Sequence, residues 1–369
     1  MIKILFFIET LKSGGAEKVL IDLVNHMDQA KFDITVQTVW PCDAKKYLAP
    51  GIRFKSMYSA ENKANHLRYR AEAESGLAYR LHIKDDYDIE CAYIEMGPTK
   101  VLSASTNKKA KKLAWVHCDL SKKVNDINAF VAKAGPQYRK YDEIICVSEN
   151  VLESFVRLFG AEVPARVIHN VVEDDVIREK AKANLPSGLQ KKRFTIATLG
   201  RLTHQKGYDM LLKAHDCLMR DGFSYDLWIA GEGEDRPMLE QYIADHGLAD
   251  SVKLLGFQEN PYPILEAADL LVCSSRYEGL STFVTEGLIL GKPIVTTDCT
   301  GMRELLGDSQ FGLITDMTEE AMYDGLKTML QSENLRSAYA EKAALRGQDF
   351  SANRLVQDAE EYFIMLMGE

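Results

Sequence analysis

The chain alternates short apolar runs with amphipathic stretches, and it does so twice. Ile2–Ile8 is apolar but for Lys3 near its start, as a strand buried on both faces should be. A loop through Gly14 follows. Ala16, Val19, Leu20, Leu23, Val24 and Met27 then recur at helical spacing. FDITVQTVW, YDIECAYI, KLAWVH and DEIICVS are apolar runs each short enough for one strand. The spacing of Val151, Leu152, Phe155, Val156 and Phe159 predicts a helix ahead of ARVIHNVV. Residues 185–193, LPSGLQKKR, are polar with Pro and Gly and read as a linker region. The pattern then restarts with FTIATLG, a loop, and a helix over 208–218. YDLWIAG, SVKLLGF, ADLLVCSS, KPIVTT and FGLIT predict further strands between helices.

Repeated strand–helix alternation means right-handed crossovers and a parallel sheet covered on both faces. Two such blocks predict an α/β fold of two Rossmann-like, doubly wound parallel-sheet domains facing across a cleft. Ligands then belong at the carboxyl ends of the strands. The last segment, SANRLVQDAEEYFIMLMGE, carries Leu355, Val356, Tyr362, Phe363 and Leu366 on a helical period. It either closes the second block or crosses back onto the first.

Composition changes this picture little. A length of 369 residues suits about two domains. The formal charge of −9 argues against nucleic acid as a partner, which needs a basic footprint. The seven cysteines are scattered and form no C-x-x-C, which fits a reducing cytoplasm and neither a disulfide framework nor a zinc site. No apolar run has transmembrane length. MIKILFFIET is short like a signal segment, but Gly-Gly and an amphipathic helix follow it, so it reads as the first strand. The charge is uneven, however. From Lys100 to Lys140 ten Lys or Arg stand against Asp119 and Asp126. That stretch reads either as solvated surface or as attraction to anionic lipid or a lipid diphosphate.

Candidate chemistry lies in the loops after strands. Gly14 and Gly15 either make a tight turn into a helix or let backbone N–H groups approach a phosphate or sugar. The loop is not G-x-G-x-x-G. Arg201 and Lys206 flank GRLTHQKG after the first strand of the second block. Two cations there suit a diphosphate, one as a fork and one as a point charge. His117 ends the run LAWVH with Asp119 two residues on, where an imidazole can orient or deprotonate a hydroxyl. His169 occupies a similar strand end and reads as structural. Asp86 and Asp88 form a D-x-D that looks like a strand-entry turn, so no metal ligand set is expected.

In RYEGLSTFVTEG, Glu278 precedes Glu286 by eight residues. On one continuous helix they would stand roughly 80° apart. Ser281 or Thr282 is a natural N-cap, which leaves Glu278 on the loop and Glu286 about one turn inside the helix. Glu286 lies among apolar residues, and burying a carboxylate without a partner is expensive. Vicinal hydroxyls of a polyol are such a partner.

These residues resemble a known family. EGLSTFVTE is similar to the E-x7-E motif of retaining GT-B glycosyltransferases. With GGAE, WVHCD, GRLTHQKG, IAGEGED, LLGF and GKPIVTTD in order, the whole chain resembles a bacterial family 4 glycosyltransferase. The resemblance implies an acceptor-binding domain over 1–175 with the terminal helix 351–369, and a donor-binding domain over 176–350. It implies that Arg201, Lys206 and the backbone of Gly279, Leu280, Ser281 and Thr282 grip a nucleotide diphosphate. Glu286 would take the ribose, Glu278 the hexose, and the Phe257 backbone the base. His117 would meet the sugar near its reacting carbon, and Gly14 and Gly15 the phosphate or acceptor. The implied activity is retaining, metal-independent transfer of a hexose, with a UDP-hexose as co-substrate and no resident cofactor. The acceptor would be a lipid-linked saccharide or other glycan of the capsule, exopolysaccharide or lipopolysaccharide, at the cytoplasmic face of the membrane. One departure is Ser281, where the family usually has proline. Within the fold the alternative is a nucleotide-sugar epimerase. Outside it, the alternative is a non-catalytic two-domain sugar-binding protein.

Overall fold

The run Ile2–Ile8 is an interior strand of a seven-stranded sheet in a computed structural model that describes residues 1–12 and 14–368. Ser13, in the glycine-rich loop, and Glu369, at the end of the terminal segment, lie outside the described residues. In this sheet β1 (Ile2–Ile8) is flanked by β2 (Phe32–Thr38) and β4 (Ile89–Ala92). Outside them lie β3 (Arg53–Ser56) on one side, and β5 (Lys111–Val116), β6 (Glu143–Cys146) and β7 (Ala165–Val167) on the other. The order is 3-2-1-4-5-6-7, and every ladder is parallel. The interior position explains why Ile4, Leu5, Phe6, Phe7 and Ile8 are all fully buried.

A second sheet repeats the scheme. It contains β8 (Thr195–Leu199), β9 (Asp226–Ala230), β10 (Val252–Gly256), β11 (Leu270–Cys273), β12 (Ile294–Thr297) and β13 (Leu313–Thr315). Their order is 10-9-8-11-12-13, again with parallel ladders. Ile196, Ile229, Leu270, Val272 and Val295 pack there against Leu211, Leu212, Leu326 and Met329 from the covering helices. Each sheet therefore reverses its strand order once, between β1 and β4 and between β8 and β11. Such reversals open a crevice at the carboxyl ends of the strands.

The chain divides into one unit of Met1–Val171 with Ala352–Glu369, and another of Val172–Ser351. Residues 185–193 lie inside the second unit, where Lys191 bonds Asp269 at 2.7 Å and Arg193 bonds Asp226 at 2.8 Å. Their polar composition marks an exposed connection and not the junction. The final helix, Ala352–Leu366, belongs to the first unit. Phe363 stands edge-on to Phe6 at 6.1 Å and to Phe32 at 6.2 Å. Glu360 accepts from the Asp28 backbone N–H at 2.6 Å, and the Tyr362 hydroxyl donates to Glu143 at 3.0 Å. No helix among the described residues is long and apolar enough to cross a membrane.

Candidate functional site

In the second unit, the loops at residues 200–207 and 274–281 leave the carboxyl ends of β8 and β11. They are laced together. The Gln205 amide donates to the Tyr277 carbonyl at 2.9 Å, and the Arg276 N–H donates to the Gln205 carbonyl at 2.7 Å. Ser274 Oγ donates to the Lys206 carbonyl at 2.7 Å. The Arg276 guanidinium reaches the His204 carbonyl at 2.8 Å and grips both oxygens of Asp209 at 2.8 and 2.7 Å. Gly207 has φ +64°, and a Cβ there would lie 2.1 Å from the Ser274 carbonyl oxygen. Only glycine permits both that conformation and that approach.

This lacing brings Lys206 and Glu278 together. Lys206 Nζ donates to Glu278 Oε1 at 2.6 Å, and Ser275 Oγ donates to the same oxygen at 2.6 Å. Burial pushes the Lys206 pKa down, but the Glu278 carboxylate beside it pushes it up by more, so the ammonium stays charged. Glu278 is 8% exposed. Two candidates assigned to separate parts of a ligand are thus bonded to each other. One of the three ammonium donors is committed, and the others remain for a further acceptor.

Ser281 is the N-cap of the helix Thr282–Ile289, its Oγ accepting from the Val284 N–H at 3.4 Å. The first turn of that helix follows Gly279 and Leu280 directly, so its N–H groups and dipole sit beside the Lys206–Glu278 pair. Glu286 lies inside the helix and is 3% exposed. Its carboxylate accepts from the Tyr262 hydroxyl at 3.2 Å. Tyr262, on the helix Tyr262–Ala267 after β10, gives that buried carboxylate a protein partner where the sequence offers only a ligand. Its only signal is an aromatic residue two positions after Asn260 in a turn. Arg201 is exposed at the carboxyl end of β8, and Phe257 is 66% exposed after β10.

The remaining candidates belong to the first unit. Gly14 has extended backbone and precedes the helix Gly15–His26. His117 follows β5. Its imidazole hydrogen-bonds the Tyr93 backbone and packs against the Tyr93 ring at 4.9 Å and the Trp115 ring at 6.5 Å. Nε2 is buried and has no hydrogen-bond partner. Burial pushes the His117 pKa down to about 4, against the pull of Glu95. The ring is therefore neutral at physiological pH. With one nitrogen committed as donor to Tyr93, Nε2 is an acceptor.

Glu95 was not legible in the sequence. It follows β4, is 3% exposed, and accepts from the backbone N–H groups of both His117 and Cys118, the latter at 3.1 Å. Lys123 reaches its other oxygen at 3.4 Å. The next residue, Met96, has φ 70° and ψ −106°. A non-glycine residue held there costs on the order of 1–3 kcal/mol. Its sequence signal is a lone carboxylate at the end of an apolar run, followed by Met-Gly-Pro. Asp119, in contrast, caps the short helix Leu120–Lys123 and bonds Ser121 and Ser154. Asp88 accepts from the Lys3 N–H at 2.8 Å, at the entry to β4. Among the basic residues, Lys100 and Lys133 both pair with Glu74. Among the described residues, no group of three or more His, Cys, Asp or Glu is placed to hold a metal.

Two family models divide the chain between them. Glycosyltransferase Family 4 matches residues 13–176, and Glycosyl transferases group 1 matches residues 179–346. The chain is 29% identical over 374 residues to the N-acetylgalactosamine-N,N'-diacetylbacillosaminyl-diphospho-undecaprenol 4-alpha-N-acetylgalactosaminyltransferase of Campylobacter jejuni, covering 99% of this chain and 100% of that one. It is 28% identical over 208 residues to the lipopolysaccharide core biosynthesis glycosyltransferase LpsE of Rhizobium meliloti, covering 56% of this chain and 58% of LpsE. Anabaena HepE in complex with UDP and glucose shares the fold with a TM-score of 0.79 at 19% identity, over 99% of this chain and 100% of HepE.

Proposed function

The chain belongs to the glycosyltransferases, joining a family 4 half to a group 1 half in the GT-B fold, and on that premise we propose that it transfers a hexose from a UDP-hexose to a hydroxyl of a lipid-linked saccharide. The product retains the donor's anomeric configuration, and no divalent metal takes part. The observation that carries this reading is the half-buried Lys206–Glu278 pair, set beside a capped helix N-terminus where the strand order reverses. The acceptor class is supported by the diphospho-undecaprenol named for the Campylobacter relative, and the donor class by the UDP and glucose bound to HepE.

In this reading the diphosphate lies along the first turn of the Thr282–Ile289 helix, near Arg201 and Lys206. Glu286 takes the ribose hydroxyls, Glu278 those of the hexose, and backbone near Phe257 the base. The bond between the anomeric carbon and the phosphate oxygen loosens toward an oxocarbenium-like state. Negative charge grows on the leaving diphosphate, where Lys206, Arg201 and the helix dipole stabilise it. The acceptor hydroxyl attacks from the same face, and its proton passes to the leaving phosphate oxygen. No protein nucleophile forms a bond, so Glu278 binds and does not attack. His117 Nε2 accepts from a sugar hydroxyl in the first unit. The basic residues between Lys100 and Lys140 favour an anionic membrane surface or the diphosphate of the acceptor.

Calorimetry with UDP, GDP and ADP tests the donor site directly. UDP is expected to bind, and Glu286→Ala to weaken it by about 10-fold or more, the loss of one charge-assisted hydrogen bond. Binding of none of the three would remove the transferase reading. A panel of UDP-hexoses assayed with and without EDTA separates metal-independent from metal-dependent transfer.

A further inference from the structure

We infer that Glu95 is a positioning residue for the transfer reaction: its carboxylate holds the turn after β5 so that His117 Nε2 is set for a sugar hydroxyl. The inference rests on the role given to His117 above.

β4 and β5 are neighbours in the first sheet, with Ala92 beside Ala114. The loops that leave their carboxyl ends carry Glu95 and His117. Glu95 Oε1 accepts from two successive backbone N–H groups, those of His117 and Cys118, and Oε2 accepts from Lys123. All three partners lie on the segment after β5, so one side chain from the neighbouring loop fixes where that segment runs. Burial pushes the Glu95 pKa up, yet Lys123 and the N–H groups bring it below the ordinary range, so the carboxylate is ionised. Both of its oxygens are occupied, which leaves no free oxygen to attack a sugar.

Two further observations mark these neighbouring loops after β4 and β5 as built for a ligand. Met96 and Ser309 are the non-glycine residues with positive φ among those described, and Met96 adjoins Glu95. A strained backbone persists only where its surroundings over-determine it. His117 Nε2 is buried and without a partner, while its ring is held by Tyr93 and Trp115. Buried polar atoms in native proteins find partners, and an exception at a strand's carboxyl end points to a hydroxyl supplied from outside.

The test separates reach from charge. Glu95→Asp keeps the charge but draws the carboxylate back by one methylene. Glu95→Gln removes the charge but keeps an oxygen that reaches both N–H groups. Turnover of the best UDP-hexose, UDP affinity by calorimetry, and hydrogen exchange of the His117 and Cys118 amides are measured for both. Positioning by reach predicts that Glu95→Asp lowers kcat about 100-fold, the cost of roughly 1 Å of misplacement. Its donor KM and UDP affinity should stay within about threefold, and both amides should exchange faster. Glu95→Gln should keep the amides protected and kcat within about 10-fold of the parent. Parental kcat or parental amide protection in Glu95→Asp would overturn the inference, as would a slow Glu95→Gln beside a normal Glu95→Asp. If the parent turns over no UDP-hexose, the UDP-hexose donor reading falls, and the exchange measurement still decides whether the reach of Glu95 holds the turn.

Discussion

His215 is fully buried between the Tyr225 hydroxyl at 2.9 Å and the Ser251 hydroxyl at 2.8 Å, and burial pushes its pKa down to about 4. An unfolded histidine titrates near 6.5. Between these values the unfolded chain binds a proton that the folded one refuses. Stability of the second unit should therefore fall as pH drops from about 6.5 toward 4, by about 1.4 kcal/mol per pH unit at the steepest. Urea midpoints at pH 7 and pH 5 measure this, and His215→Gln should flatten the difference. His117 is expected to matter for rate instead. His117→Ala should lower kcat about 100-fold with UDP affinity unchanged, and parental turnover would retire its role. At this scale legibility follows locality. Lys206 and Glu278 each show in the sequence as a charge in a loop after an apolar run. Their bond is invisible there because 72 residues separate them. Glu95 and Tyr262 belong to no motif, and only the fold shows what they hold.

Elements were legible where their burial is periodic or complete. β1, β8 and β11 read directly because both of their faces are covered. β3 did not, since Arg53–Ser56 alternates charge and apolar side chains at a sheet edge and is partly exposed throughout. The helix Lys63–Glu74 did not either. It buries only Tyr69, Glu72 and Ala73, and Glu72 takes bonds from Tyr58 at 2.6 Å, Arg68 at 2.6 Å and His82 at 2.8 Å. A polar network of that kind leaves no hydrophobic period to find. The loops beside β8 and β11 make the opposite case, because a single glycine sets their spacing. Gly207→Ala should lose about 1–2 kcal/mol from its left-handed backbone alone. The displaced Ser274 carbonyl should also spread Lys206 from Glu278. The expected result is a lower melting temperature together with weaker UDP binding. A variant with parental values for both would show that the two loops move independently.

At the scale of the molecule, two doubly wound units were legible from repeated strand–helix alternation, and the order of motifs along the chain pointed to the family. The return of the last helix to the first unit was not legible from its own residues, whose apolar stripe suits either sheet. Its weight is carried by Phe363, fully buried against Phe6 and Phe32. Phe363→Ala should cost about 3–5 kcal/mol. Thermal unfolding should show an earlier transition of the first unit, while UDP binding at temperatures below it is retained. An unchanged first transition would mean that the helix contributes little to that core. The same helix imposes an order on synthesis. Phe6 and Phe32 leave the ribosome early, but Phe363 is made only after the intervening Val172–Ser351. At about 5–20 residues per second, that segment takes roughly 10–40 s. The nascent first unit waits that long with an aromatic face uncovered, while the second unit, continuous in the chain, is already free to fold.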